Sequence, residues 1–150
     1  MKVIVSSDEY CSLIPRILQE IEKAGHAGHY AGPGPGEEQD WPDVTARAVK
    51  RVIAKEFDEA VVLCWTGTGA TLAANKVRGI RAALCNDAET ARGARIWNHA
   101  NVLALSIRKT SDPMVREILS AWYGTPFSED DWNLKQIDHI RSLEAQFDIP

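Results

Sequence analysis

The sequence has no apolar run near the roughly 20 residues that a membrane-spanning helix needs. It has no basic excess either. Seventeen Lys and Arg stand against 21 Asp and Glu, a net charge of −4, which leaves no electrostatic footprint for nucleic acid or an anionic membrane surface. Cysteine is scarce, and Cys11, Cys64 and Cys85 are widely spaced and odd in number. They form neither a disulfide framework nor a metal-ligand pair. Internal repeats and low-complexity tracts are missing, and the segment from Met1 to Tyr10 lacks the apolar centre of a signal peptide. We therefore expect a reduced, cytoplasmic protein that binds no nucleic acid and no membrane. Its 150 residues suit one domain, 1–150, with one core.

What is present is an alternation of strand and helix signals. Lys2 to Ser6 reads as a first strand, and Ser7-Asp8-Glu9 as a turn. Ile14, Ile17, Leu18 and Ile21 recur at helical spacing between Ile14 and Ala24, with Pro15 tolerable in a first turn. His26 to Ala31 is a weak second strand, and Gly32-Pro33-Gly34-Pro35-Gly36 is a loop by its chemistry. Pro42 starts a helix with Val44, Ala48 and Val52 on one face. Glu59 to Cys64 is a third strand and Ala70 to Lys76 a short helix. Ile80 to Cys85 is a fourth strand, apolar enough to expect burial on both faces. A helix from Asp87 to Trp97, capped by Asp87, precedes a fifth strand from Asn101 to Ser106. Another helix opens at Ser111-Asp112-Pro113 and runs to about Tyr123. The last, about 128–147, starts with the capping pattern Ser128-x-x-Asp131 and is polar enough to be expected against a partner subunit. The pattern predicts an α/β fold, a five-stranded parallel sheet covered on both faces, with a protruding C-terminal helix. In such sheets ligands sit beyond the carboxyl ends of the strands. Asp8, Cys64 and the residues after it, Asn86-Asp87 and Arg108 would then face one crevice.

The most informative stretch follows the third strand. Cys64 leads at once into Trp65-Thr66-Gly67-Thr68-Gly69 and then a helix. A strand, a tight loop and a helix aim unpartnered N–H groups at one point, which binds anions and favours a thiolate. Three glycines after a first strand, as a dinucleotide site requires, are not there. A Gly-Lys-Ser/Thr phosphate loop is also missing, and no arginine stands between Cys64 and Arg78 to serve a cysteine phosphatase. A cysteine protease requires a histidine base, and a distant histidine stays open. So does the plain alternative that Cys64 is a buried strand residue.

The run from Cys64 through Lys76 into Val77-Arg78-Gly79-Ile80-Arg81-Ala82-Ala83-Leu84-Cys85 resembles the ribose-5-phosphate isomerase B and galactose-6-phosphate isomerase family. The resemblance extends to Ser7-Asp8, Trp41-Pro42-Asp43, Ala94-Arg95, Asn98, the segment from Ala100 to Leu105, and Arg108. It implies a Rossmann-like three-layer α/β/α sandwich that interconverts aldose and ketose sugar phosphates through a cis-enediolate, with no cofactor or metal. It also implies a homodimer or homotetramer with sites shared between subunits. Cys64 matches the family base, because the glutamate some members use instead falls at Ala70. Thr66 matches a threonine that helps open the sugar ring, and Gly67, Thr68 and Gly69 match the anion-stabilising loop. Asp8, Asn98 and Arg108 match groups that bind substrate and phosphate.

Several positions depart from the family pattern. Glu9 stands for a histidine, Trp65 for a glycine and Trp97 for the ring-opening histidine, while the two phosphate-gripping arginines fall at Asp131 and Lys135. Three readings are consistent with this. The substrate is an open-chain sugar phosphate; or it is a different or unphosphorylated sugar stacked on Trp65 and Trp97; or the protein only binds a sugar. His99 either reaches the crevice or lies exposed at a helix end, and His26, His29 and His139 read as surface residues.

Overall fold

The computed structural model describes residues 1–146. Strands and helices run β1 (Lys2–Ser7), α1 (Leu13–Lys23), β2 (Ala27–Tyr30), α2 (Trp41–Ile53), β3 (Glu59–Cys64), α3 (Thr68–Asn75), β4 (Ala82–Leu84), α4 (Ala88–Asn98), β5 (Val102–Ser106), α5 (Asp112–Gly124) and α6 (Asp131–Gln146). The five strands pair in parallel in the order β2-β1-β3-β5-β4. Because side chains alternate across a strand, the sheet has two apolar faces. Val3, Val5, Val61, Leu63, Leu103 and Leu105 meet α1, α4 and α5. Ile4, Ala60, Val62, Cys64, Val102 and Ala104 meet α2 and α3. This is the expected three-layer sandwich. Among the described residues, no helix is long and apolar enough to cross a membrane.

Some boundaries differ from expectation for physical reasons. β4 is only Ala82–Leu84 and is half-buried rather than covered on both faces, because it is an edge strand. Its outer side is closed by a side chain. Asn75 Nδ2 donates to Ala82 O at 2.9 Å, and Ala82 N donates to Asn75 Oδ1 at 2.8 Å, so the strand edge is satisfied where no further strand pairs. α3 starts at Thr68 rather than Ala70, since Gly67 turns left-handed (φ 77°) and opens the helix earlier. Asp87 caps α4 as expected, its carboxylate accepting from Thr90 N at 2.7 Å.

The expected cap of α6 is corrected. The side chain of Asp130, not Ser128, accepts the first-turn backbone N–H, at 3.0 Å from Asn133 N, while Ser128 Oγ accepts only from the Asn133 side-chain amide at 3.1 Å and from Asp130 N at 3.3 Å. Ser128 lies in the preceding connection, where its carbonyl is 2.7 Å from His99 Nε2. α6 buries only Asn133 and Ile137. It touches the body through α4 and through Glu144, which accepts from Gly79 N at 3.0 Å. Residue 147 of the expected span lies outside the described residues.

A buried charge network ties β3 to the helices at the amino end of the sheet. Arg95 Nη1 donates to Glu59 Oε1 at 2.7 Å and to Ala100 O at 2.8 Å, and Trp122 Nε1 donates to Glu59 Oε2 at 2.8 Å. The Arg95 guanidinium lies over the rings of Trp122 and Phe127, at 4.9 and 4.2 Å. His99 stacks on Phe127 at 4.6 Å. His99 is thus buried in a structural stack and neither reaches the crevice nor lies exposed. His26 is also not a plain surface residue, since its ring meets Tyr123 edge-on at 4.7 Å.

Candidate active site

β3 delivers Cys64 to the carboxyl edge of the sheet, and the chain there is pinned on both sides. Cys64 O accepts from Gly67 N at 3.2 Å and from Ile107 N at 3.1 Å. Trp65 O accepts from Arg108 N at 3.1 Å and from Ser106 Oγ at 3.0 Å. Gly67 is required here twice over. Its φ is left-handed, and a Cβ would stand 2.5 Å from Leu84 Cδ1 and 3.0 Å from the Leu105 carbonyl. With the loop fixed this way, the first turn of α3 points back at the cysteine. Ala70 N donates to Cys64 Sγ at 3.4 Å. The amides of Thr68 and Gly69 are the first two of α3 and have no partner in the turn before them.

Cys64 is 5% exposed, yet it is not sealed in the core. It lines an open depression of about 400 Å³ together with Asp8, Trp41, Trp65, Thr66, Thr68, Gly69 and Leu72. Thr66 and Thr68 share a hydrogen bond between their hydroxyls at 2.7 Å. Asp8 is half-buried, and its Oδ1 finds no partner among the described residues. Burial pushes its carboxyl above the usual carboxylate range, and the charge of Glu38 adds to the shift. Glu9 does not line the depression. It lies beside Asp8 in an antiparallel bridge to Glu38.

Several sequence-selected residues lie elsewhere in one copy. Trp97 and Asn98, at the end of α4, border a groove of about 630 Å³ between β4 and α6, whose other walls include Ile80, Ala82, Trp132, Ile137 and Ile140. Trp65 and Trp97 are 59% and 58% exposed, so neither is a core residue, but they do not share a cavity within one copy. Arg108 offers its main-chain N–H to the loop while its side chain is exposed, and Lys135 is exposed on α6. Sequence reasoning did not select Trp41, at the start of α2, or Leu72 as site residues. Trp41 had a signal, since Trp41-Pro42-Asp43 belongs to the resemblance. Among the described residues, no group of His, Cys, Asp or Glu side chains is placed to hold a metal ion.

Known proteins share this sequence pattern and fold. The ribose/galactose isomerase family profile matches residues 3–140. The D-erythrulose-4-phosphate isomerase of Pectobacterium atrosepticum is 37% identical over 111 residues, 74% of this chain and 72% of that protein. Ribose-5-phosphate isomerase B of Escherichia coli is 28% identical over 143 residues, 95% of this chain and 90% of that one. The solved structure of type B ribose 5-phosphate isomerase from Trypanosoma cruzi superposes with a TM-score of 0.93 at 35% identity, covering 97% of this chain and 99% of that one.

Proposed function

The chain belongs to the ribose/galactose isomerase family, and from that premise we propose that it is an aldose–ketose isomerase of a small sugar phosphate, with Cys64 as the base. The observation that carries the reading is the placement of Sγ. It lies at the amide end of α3 and opens on the depression. A thiolate there removes a proton from the carbon beside the carbonyl. The electron pair forms a carbon–carbon double bond, and the former carbonyl oxygen becomes an enediolate oxygen facing the Thr68 and Gly69 amides. Donors already in place for developing charge supply the largest usual share of such catalysis. The proton then returns to the neighbouring carbon, while the paired hydroxyls of Thr66 and Thr68 give a route for a proton between the two sugar oxygens. The carboxylate of Asp8, a residue that lines the depression, accepts from a substrate hydroxyl. The reaction needs no cofactor.

In this reading Trp97, Asn98 and Lys135 reach the depression from a second copy. The exposed Trp97, Trp132, Ile140 and Leu143 around the α4–α6 groove favour a homodimer or homotetramer, because such an apolar patch is usually covered. Arg108 and Lys135 supply positive charge for the phosphate. Three unpaired thiols suit the cytoplasm.

The test is uptake of solvent deuterium into D-erythrulose 4-phosphate and D-ribose 5-phosphate. Cys64→Ala is expected to lower exchange by about 10²–10⁴-fold while keeping the circular-dichroism spectrum. Normal exchange in that variant would remove Cys64 as the base. Trp97, where the resemblance places a ring-opening histidine, favours one other reading, a sugar-binding protein without turnover. That reading expects ligand-dependent thermal stabilisation with no exchange in the wild type.

A further inference from the structure

The sequence places Trp41 at the mouth of α2; the fold places it in the Cys64 depression. Its indole borders the same space as Cys64 and Trp65. Trp41 and Trp65 remain 43% and 59% exposed. Two large aromatic surfaces left open to water beside a concave site are costly unless something covers them. The ring of Trp41 is also seated. A Cβ at Gly69 would lie 3.1 Å from Trp41 Cδ2 and Cε3, so the missing side chain at 69 is what lets the indole rest on the loop. The remaining lining is polar at Asp8, Thr66 and Thr68. Apolar ring faces next to a carboxylate and two hydroxyls fit a ligand with C–H bonds along one side and hydroxyls along another, which describes a sugar chain.

We propose that Trp41, seated on Gly69, forms with Trp65 an aromatic clamp on the carbon chain of the substrate, and that Trp41 is a specificity-determining residue of this site. The inference rests on reading the depression as a sugar site. The rings carry no group that titrates or reacts, so they act on binding of ground state and transition state alike. Their removal therefore raises KM and leaves kcat near its value.

The experiment uses the full chain with Trp41→Ala, Trp41→Phe and Gly69→Ala, each made in the wild-type and Cys64→Ala backgrounds and checked by thermal melting. In the Cys64→Ala background, where chemistry is removed, saturation-transfer NMR reads the contact of D-erythrulose 4-phosphate and D-ribose 5-phosphate with the protein, and titration calorimetry with inorganic phosphate reads anion binding alone. The expected result is saturation of the sugar C–H protons that is lost in Trp41→Ala and retained in Trp41→Phe, with phosphate affinity unchanged. In the active background, Trp41→Ala raises KM by about five- to tenfold; Gly69→Ala, which unseats the ring but also alters the loop whose amide faces the reacting oxygen, is scored only by loss of sugar contact in the Cys64→Ala background. Sugar binding that is indifferent to Trp41 overturns the proposal, as does a fall in kcat at constant KM. Absence of sugar contact in every variant also overturns it. Trp41-dependent sugar contact in a wild type that exchanges no deuterium would sink the isomerase reading and leave the clamp standing.

Discussion

Replacing Gly67 with alanine tests whether the loop that aims α3 at Cys64 has room to move. Gly67 sits at φ +77°, a left-handed conformation that costs an L-residue about 1–2 kcal/mol. The new Cβ would stand 2.5 Å from Leu84 Cδ1 and 3.0 Å from both the carbonyl carbon and oxygen of Leu105. The leucine methyl can swing aside. Leu105 cannot, because it is main chain of β5, held between β3 and β4. Relief has to come from the loop, at about 1–3 kcal/mol for an overpacked site. Together these give about 2–5 kcal/mol, a large part of the roughly 5–15 kcal/mol that keeps a domain folded. The melting temperature should fall by about 5–20 °C. Gly36 is the control: its φ is +80°, but no atom lies within 4 Å of a Cβ there, so Gly36→Ala carries the dihedral cost alone. A loop pushed away from β5 also draws Ala70 N from Cys64 Sγ, now at 3.4 Å. Misplacement by about 1 Å at a reacting centre costs about 10²-fold, so deuterium exchange should drop further than stability explains. Thermal melts of both variants, with exchange measured well below either transition, make the comparison. A Gly67→Ala protein that melts no lower than Gly36→Ala would refute the claim that β5 is an unyielding wall.

Asp8→Asn should raise the melting temperature at pH 7 while weakening sugar binding. Burial raises the folded-state pKa of Asp8 above its ordinary 3.8, so wild-type stability falls as pH rises from that value through the folded one. The variant's advantage is full above the folded pKa and vanishes as pH falls toward 3.8; an equal advantage at pH 4 and pH 7 in pH-resolved melts would exclude burial as its cause. Arg95→Met should cost about 3–5 kcal/mol in chemical denaturation, because it leaves a buried carboxylate unpaired. Adding Glu59→Gln should restore part of that loss, and a double variant no better than the single would show that the ion pair is not what Arg95 contributes.

The layers of the fold were legible because β1, β3 and β5 carry apolar residues on both faces and α1 and α2 carry one apolar stripe each. β4 misled for a related reason. The apolar run Ile80 to Cys85 suggests burial on both sides, but part of that surface lines the α4–α6 groove, and the strand edge is closed by Asn75 rather than by another strand. Hydropathy measures how much surface wants cover, not what covers it. The same limit applies to His99. Its position at a helix end is visible in the sequence, whereas its stack on Phe127 depends on how the connection before α6 folds back. The Cys64 loop was legible as chemistry because glycine spacing and helix geometry are local. Trp41 was visible only as part of the resemblance; its place in the site was not, because its contact with Gly69 joins residues far apart in the chain.

Glu59 and Asp8 show how the fold treats two carboxylates differently at the two ends of one sheet. At the amino end of β3, both oxygens of Glu59 are occupied, one by Arg95 and one by the indole N–H of Trp122. That arrangement meets the demand that a buried charge be fully paired. At the carboxyl end of β1, Asp8 keeps Oδ1 unpartnered among the described residues, faces the Cys64 depression and lies close enough to Glu38 to be pushed further from ionisation. A chain selected for stability alone would have given Asp8 a partner or replaced it. A sugar hydroxyl that reached the Asp8 carboxylate from the depression would offset part of that cost, and Asp8→Asn read against sugar binding measures whether one does.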